Sequence, residues 1–498
     1  MNSRLTYFSV LLVSLCFFAG PVLGFDSASA VATEPDSYTL APSPLSVTEV
    51  LEEASRVELA YDEGLYENVR SARKVIFSDF PISLDRTATV RLERFYVLAP
   101  YSVLIVGTDT LDMNSAGVDV TLLRGEIVDE PNSFVCLALS PIMCKGMVSV
   151  GEEQYAIGPD LEHGAPGDLA LVDAHEYRPD FTCEVLQPDY ILPIDHGREE
   201  SDYQSLAGEF KIADVAIETD TFIVRYFDGY IPSAEVATAC YIVSLVGLSS
   251  AIYERDLDVK HIICWLRVWP LGGPDPISLY PYTDTLYLAE YSTYWRDNMS
   301  HIDRTLGCLI QADPNCGGQG YLGTLCNKDW GMFSFSMGGC GGTGFYDILL
   351  YCHEAGHVHG SDHTFCYVPA IDSCDTGGGP GDPCYHEVTE QVIGTIMSYC
   401  WSVTLDFHPV VIDTIRNHVD NAACMRIARD PVYVDWSNTG YEDGTAANPY
   451  NTVLEGAETV MPGGTVLIAP GNYPETPLIP YPCLLLRNGT SGSVIIGY

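Results

Sequence analysis

The chain has 498 residues, of which 24 are lysine or arginine and 67 are aspartate or glutamate, so its formal charge is −43. This acidic balance excludes a basic footprint for nucleic acid, and we expect no nucleic-acid partner. Hydrophobic residues make up 47% of the sequence, which excludes a disordered acidic chain and predicts a folded protein with more than one domain.

The first residues are typical of a secretory signal. Arg4 precedes an apolar stretch from Tyr7 to Gly20, and small residues follow at positions 22–24 and 28–30. This stretch is shorter than the about 20 residues that a membrane span needs. We predict a signal peptide at residues 1–24, a secreted, extracellular protein, and no membrane span after signal removal. A second uncharged segment, Val236 to Tyr253, is interpreted as a buried amphipathic helix.

Cysteine usage is consistent with export. Cys16 would leave with the signal, and the other cysteines are expected to be oxidised outside the cytoplasm. Most of them fall between Cys240 and Cys424, which predicts one disulfide-stapled domain there. Residues 31–204, before this block, contain alternating segments rich in leucine and valine, which are typical of strands. This first half has no catalytic group of residues of its own.

One segment carries the chemistry. His353, Glu354, His357, Gly360 and His363 fill every defined position of the pattern H-E-x-x-H-x-x-G-x-x-H. On a helix, the first two histidines lie one turn apart on the same face, so both imidazoles can reach one ion. The glycine allows a sharp turn that returns the third histidine as a ligand. We predict one catalytic Zn²⁺ on the three histidines, with the glutamate as general base for a zinc-activated water.

This signature resembles that of the metzincin zinc endopeptidases, and the surroundings are similar to the reprolysin or adamalysin branch and its secreted microbial relatives. The resemblance covers roughly residues 210–425. It implies an α+β catalytic domain with a twisted mixed sheet, a zinc helix and a turn that carries a methionine below the metal, here Met397. It also implies an edge strand at Gly320 to Cys326 for binding substrate, and a disulfide between Cys326 and Cys424.

The sequence contains segments that match this architecture. Lys211 to Glu218 and Val259 to Val268 are β-rich, whereas Ser233 to Tyr253 and Asp284 to Met299 suit helices. Pro409 opens a last helix at the first position, which proline favours. We place the protease domain at residues 205–428.

Two positions differ from the reprolysin pattern or add to it. Thr364 follows the third histidine where venom-type reprolysins usually carry aspartate. Tyr399, two places after the methionine of the turn, resembles a tyrosine of serralysins and astacins that approaches the zinc. We predict that this tyrosine either donates to the oxyanion or only packs.

The first half resembles the prodomain that precedes reprolysin-like domains, so residues 31–204 are predicted to be a β-rich prodomain and the protein a zymogen. A prodomain thiolate can silence such an enzyme by binding the zinc. If Cys136 and Cys144 pair, Cys183 remains as the candidate switch, with an ordinary disulfide as the alternative. The charged segment 193–205 is a candidate activation linker.

Two features are peripheral to this site. Residues 431–498 resemble the opening of right-handed parallel β-helix proteins related to pectate lyases, which suggests surface or carbohydrate attachment or a passive extension. The loop between residues 371 and 384 contains Asp372, Asp375 and Asp382, so Ca²⁺ binding is considered.

The predicted function is that of a secreted zinc metalloendopeptidase that acts on proteins or peptides. The alternative is a noncatalytic extracellular binding or attachment protein with a vestigial metal site. A polysaccharide lyase is a weaker rival, because it rests on the carboxyl-terminal segment alone.

Overall fold

The structure of the chain is a computed structural model. It describes residues 38–51, 55–151, 153–159, 169–174, 182–186, 209–229, 233–273, 275, 287–312, 317–336, 344–375, 380, 384–385, 387–388, 392–400, 402–461, 463–477, 479, 483–489 and 491–497. The predicted signal peptide and the predicted linker 193–205 lie outside the described residues, and so does Asp382.

Strands dominate the first part of the chain. They are β1 Thr39–Pro42, β2 Leu45–Leu51, β3 Arg56–Tyr61, β4 Lys74–Pro81, β5 Thr87–Phe95, β6 Leu98–Val106, β7 Asp109–Asp112, β8 Thr121–Ile127, β9 Phe134–Leu139, β10 Cys144–Val150, β11 Glu153–Pro159, β12 Leu169–Asp173 and β13 Thr182–Leu186. Ten of them form one sheet in the order β1-β4-β5-β8-β9-β10-β11-β12-β3-β2. This sheet contains most of the first part of the described chain, as the β-rich prediction for that part requires.

Strand periodicity decides which core each side chain of this sheet enters. In β9, Val135, Leu137 and Leu139 pack into one hydrophobic core, whereas Cys136 and Ala138 between them pack into another. The middle of the sheet is therefore buried on both faces.

A second sheet is built around the strands that follow residue 209. The remaining strands are β14 Lys211–Thr219, β15 Val259–Val268, β16 Leu306–Gln311, β17 Gly317–Tyr321, β18 Met332–Ser336, β19 Ile393–Gly394, β20 Ser402–Val403, β21 Arg426–Ile427, β22 Val432–Val434, β23 Thr465–Ile468, β24 Gly471–Tyr473, β25 Leu484–Arg487 and β26 Val494–Ile496. The second sheet has the order β13-β17-β18-β16-β14-β15-β6-β7, and β21 pairs with β14. Three strands from before residue 204 thus lie in the same sheet as the predicted protease strands.

Helices are fewer than strands among the described residues. They are α1 Glu63–Val69, α2 Met113–Ala116, α3 Ala234–Leu257, α4 Tyr287–Asn298, α5 Phe345–Val358, α6 Pro409–Asn421 and α7 Val453–Thr459. The described chain is a mixed α/β structure with several sheets, which agrees with the expected fold class at that level. The helix predicted to open at Pro409 begins there.

The long helix α3 lies inside the molecule. Ser233 caps its first turn by accepting a hydrogen bond from the amide of Val236. Almost every residue after this turn is buried, so the helix is covered on all sides and the prediction of an amphipathic helix is wrong. Its length and hydropathy would suffice to cross a membrane, but its most apolar stretch is wholly buried within the protein.

The last strands pair in parallel. One small sheet has the order β22-β23-β25, and β24 pairs with β26. Val432, Val434, Val466 and Ile468 from these strands form a core of their own with Tyr473. Parallel pairing is compatible with the β-helix-like segment expected at residues 431–498, which stays a prediction, as do the domain boundaries.

The disulfides differ in part from the expectation. The structure contains bonds between Cys326 and Cys424, Cys366 and Cys384, and Cys374 and Cys400. Eight described cysteines are free, so the expectation of general oxidation is wrong. The conditional pair Cys136–Cys144 is absent because these side chains enter the cores on opposite faces of the first sheet.

Candidate active site

Helix α5 positions the histidine signature. The helix follows Gly344, whose φ of 79° is in the left-handed region, and its apolar side chains Ile348, Leu349 and Cys352 are fully buried. The chain leaves the helix at Gly360, where φ is +99°. A Cβ at this glycine would lie 3.0 Å from the ring of His418, so the turn requires glycine for both conformation and space.

The three histidines converge as the spacing predicts. The ring centroids of His353 and His357 are 4.9 Å apart, and that of His363 lies 5.1 Å and 4.7 Å from them. One ligand atom from each, together with the Sγ atom of Cys183, lies within 4.8 Å of every other. This group of four side chains has the size of a site for a single metal ion.

The surroundings of the rings favour metal binding. The Nδ1 atom of His353 lies 2.6 Å from the carbonyl oxygen of Ile396, and that of His357 lies 2.7 Å from the carbonyl oxygen of Ser361. These carbonyls accept hydrogen bonds from Nδ1–H groups, which leaves the Nε2 lone pairs for a ligand role. Burial lowers the pKa of His353 to about 4 and that of His363 well below its usual value, so both rings are neutral, the form that binds metals.

Glu354 lies beside these rings in the same buried space. Its Oε2 atom accepts a hydrogen bond of 3.2 Å from the thiol of Cys183, and its buried Oε1 atom has no hydrogen-bond partner among the described residues. Burial raises the pKa of this carboxyl well above its usual value. A carboxylate in such a position can accept a proton from a water molecule next to it.

The predicted methionine turn packs against helix α5. Met397 is fully buried, and its sulfur is so close to α5 that a Cβ at Gly356 would lie 2.6 Å from it. Thr364, the residue that departs from the reprolysin pattern, donates its amide and its hydroxyl to the carbonyl of Met397. The threonine hydroxyl also lies 3.1 Å from that of Ser398. Thr364 thus ties the third histidine to the turn.

The loop considered for calcium supports the same turn. Asp372 accepts a hydrogen bond of 2.7 Å from the hydroxyl of Ser398 and another from the amide of Cys374. Its carboxylate is already used by protein donors, so the structure gives no support to a calcium site with Asp372 as a ligand.

Cys183 is the one predicted site residue that comes from a distant part of the chain. Strand β13 runs parallel to β17, with Thr182 opposite Gly317 and Leu186 opposite Tyr321. The Sγ atom of Cys183 lies 3.3 Å from the Nε2 atom of His357. Its role as a zymogen switch remains a prediction, but the position is the one that such a role requires.

Tyr399 contacts the same segment. Its hydroxyl donates to the carbonyl oxygen of Cys183 at 2.8 Å and accepts from the amide of that residue at 3.0 Å. The ring lies 4.5 Å from the ring of His363. Burial raises the pKa of the phenol well above its usual value, so the hydroxyl keeps its proton as a donor.

The close approach of two glycines of β17 to helix α5 escaped the sequence analysis, which named Gly320 only as the start of the predicted edge strand. A Cβ at Gly318 would lie 2.4 Å from the Oε1 atom of Glu354, and one at Gly320 would lie 2.9 Å from the Cβ atom of His357. Alternating glycines in residues 317–321 were the available signal, because residues two apart face the same side of a strand. The predicted edge strand corresponds to β17, whose outer side is covered by β13 in this structure. The range predicted for it, 320–326, is wrong because β17 ends at Tyr321 and the chain turns at Gly323, where φ is +65°.

These residues fit a catalytic zinc ion. Zinc prefers nitrogen and sulfur ligands, and a catalytic site provides three protein ligands with one exchangeable position. Three neutral imidazoles supply the nitrogens, and Cys183 lies on the remaining side. The Nε2 atom of His363 is buried with no hydrogen-bond partner among the described residues, an arrangement that a metal ion would compensate.

Comparison with known proteins supports a metallopeptidase. Residues 211–408 match the family model Reprolysin_5, described as metallo-peptidase family M12. This range includes α5, the three histidines and the methionine turn, and the match supports a metallopeptidase. No curated protein matches the chain.

Two solved structures show weak similarity. Metalloproteinase-II from Bacteroides fragilis is 8% identical and has a TM-score of 0.35, over 69% of this chain and 91% of that one. A chaperone–substrate complex is 11% identical with a TM-score of 0.26, over 42% of this chain and 35% of that one. Both TM-scores are too low for a conclusion about the fold.

Proposed function

We propose that this chain is a secreted zinc-dependent metalloendopeptidase made as a zymogen. The observation that carries the proposal is the convergence of His353, His357 and His363 beside the carboxyl group of Glu354 in one buried space. A purely structural metal site would need no base beside its ligands. The match to metallo-peptidase family M12 over residues 211–408 gives independent support.

The three histidines would hold the ion through their Nε2 atoms. A bound zinc ion polarises a peptide carbonyl and makes water a nucleophile near neutral pH. Glu354 takes a proton from the attacking water and passes it to the departing amine. The hydroxyl of Tyr399 donates a hydrogen bond to the developing oxyanion once the Cys183 backbone has left.

The zymogen part of the proposal is supported by strand β13. Its five residues lie along β17, the strand on which an extended substrate would pair, and Cys183 lies against both His357 and Glu354. A divalent cation at this point favours the thiolate form of cysteine, which is a strong zinc ligand. In this state substrate and β13 compete for the same edge.

The experiment measures hydrolysis of casein and of a quenched peptide library by the purified full chain. We expect little activity at first, a rise after an organomercurial thiol reagent, and loss of activity with a chelator. Cys183→Ala should be active without the reagent, whereas Glu354→Ala should remain inactive in every condition. Cys483→Ala is the matched control, because Cys483 is another partly buried free cysteine, in the carboxyl-terminal segment.

The outcomes separate the two parts of the proposal. Hydrolysis that survives Glu354→Ala would contradict the assigned base. A Cys183→Ala chain that needs the reagent as much as the unaltered chain would contradict the switch and leave the peptidase intact.

A further inference from the structure

Two strands from the first part of the chain, β6 and β7, extend the second sheet. Strand β6 pairs in parallel with β15 from Ile263 opposite Leu98 to Val268 opposite Val106, and β7 covers the far side of β6. Without these two strands, β15 would become an edge strand, although all but one of its residues are buried. A long apolar edge of this kind is an aggregation hazard.

Helix α3 lies between the two sheets. It packs on β15 and α5 on one side, and on β8, β9 and β10 of the first sheet on the other. The fit is close, since a Cβ at Gly247 would lie 2.5 Å from the side chain of Leu122. If residues 38–174 left, the apolar face of this helix would be exposed to water along much of its length.

Buried charges also cross this boundary. Arg124 of β8 donates to the carboxylate of Glu254 in α3 at 2.6 Å, and Lys260 of β15 donates to the other oxygen at 2.7 Å. The carboxylate and Lys260 are almost fully buried. Loss of Arg124 would remove one of the two cations that neutralise and solvate this carboxylate.

A second polar cluster joins the first sheet to α5. Lys145 of β10 is completely buried, donates to the hydroxyl of Tyr241 at 2.7 Å and lies 3.6 Å from the carboxylate of Asp347. The tyrosine hydroxyl in turn donates to Asp347. These three residues come from the first sheet, from α3 and from the first turn of α5.

The third contact reaches the chain that follows the methionine turn. The side chain of Gln154 in β11 accepts from the amide of Leu405 at 2.7 Å and donates to the carboxylate of Asp406 at 2.9 Å. The first sheet therefore supports α3, the start of α5 and the segment after the methionine, all of which position the site.

From these contacts we infer that residues 38–174, which we name the amino-terminal region, remain bound to the peptidase after a cut between residues 186 and 209. Activation then requires only that β13 separates from β17 and from the histidines. Among the described residues, that strand pairs only with β17. The thiol of Cys183 also contacts His357 and Glu354, and its backbone contacts the hydroxyl of Tyr399. The amino-terminal region would act as a permanent, noncovalent subunit of the active enzyme. This inference concerns which parts of the chain stay together and goes beyond the proposed activity.

The test places a recognition sequence for a specific protease within residues 193–205 of the full chain. The Glu354→Ala background prevents self-digestion, so the result does not depend on the proposed activity. After complete cutting, we expect one species in size-exclusion chromatography with light scattering, with the mass of the uncut chain. Denaturing mass spectrometry should show two fragments in it. Separation of the fragments in native buffer, in soluble or aggregated form, would overturn the inference.

Variants of the interface sharpen the test. Arg124→Ala in the cut chain should raise the dissociation constant of the two fragments at least about 100-fold, because it removes a cation from a buried carboxylate. Arg91→Ala is the matched control, since Arg91 pairs with Glu126 on an exposed part of the same sheet. Equal effects of the two variants on the dissociation constant would contradict the assignment of the interface. The chromatography of the cut chain tests the association of the fragments without either variant.

Discussion

Two buried polar clusters lie at the two ends of helix α5. At its carboxyl end, His353, His357 and Glu354 meet His363, and no lysine or arginine in the described part of the chain pairs with this group. At its amino end, Asp347 meets Lys145 and Tyr241. Both clusters are almost fully buried and share one helix, yet they differ in whether protein groups alone satisfy their polar atoms.

The difference lies in how each cluster is compensated. The amino-terminal cluster contains one cation, one anion and a hydroxyl that bridges them, so it is complete without a ligand. The histidine cluster has ligand atoms of three neutral rings within 4.8 Å of one another, and these can bind a metal ion. Under the proposed function, one end of α5 therefore supports the fold and the other end supports the chemistry.

The largest expected effect is at the histidine end. His357→Ala removes one of three ligands, so we expect less than stoichiometric zinc and a loss of peptidase activity of at least about 1,000-fold. Metal analysis of the folded protein checks the first expectation and hydrolysis of a quenched peptide the second. Glu354→Gln is the control, because it should keep the zinc and still lose activity. Full zinc in His357→Ala would contradict the ligand assignment.

At the other end of the helix, we expect Asp347→Ala to affect stability instead. It leaves the ammonium group of Lys145 buried without its anion, which should lower the free energy of unfolding by about 3–5 kcal/mol. Urea unfolding followed by circular dichroism measures this change. The double variant Lys145→Met with Asp347→Leu should recover most of the loss, since it removes both charges. A stable single variant would show that the pair contributes little.

A third variant tests the close approach of β17 to Glu354. Gly318→Ala would place a methyl group against the carboxyl of Glu354, so we expect kcat to fall about 10- to 100-fold with little change in KM or zinc content. Gly440→Ala is the matched control, because its added Cβ meets only one side-chain atom at 3.4 Å. Unchanged kcat in Gly318→Ala would mean that the carboxyl can shift without cost.

The last expected effect concerns pH. Burial lowers the pKa of Lys145 to about 8 from 10.5 in the unfolded chain. Between these values the unfolded state binds more protons, so stability should rise with pH by about 2–3 kcal/mol from this residue. The free energy of unfolding of the unaltered chain relative to Lys145→Met, measured from pH 7.5 to 10.5, should show this slope. A difference that does not change with pH would mean that folding does not lower the pKa of Lys145.

The local sequence was sufficient for the core of the site. The spacing of His353, Glu354 and His357 depends only on helix geometry, and Gly360 depends on the conformation of one turn, so both were predictable. The strand at 259–268 and the helix that opens at Pro409 were also predicted, because their patterns are local. Helix α3 was also predicted, but it was wrongly predicted to be amphipathic, because the two sheets that cover it on all sides are formed by distant segments.

What only the tertiary structure decided involves residues far apart in the chain. Cys183 lies beside residues more than 170 positions later, and Lys145 meets Asp347 across 202 residues, which no local period encodes. The sequence determined which side chains are spaced to bind a metal, since helix and turn geometry repeat locally. Which strand covers them, and which charges hold the two sheets together, follows from packing between distant segments, where burial and charge balance act on pairs that are not neighbours in the sequence.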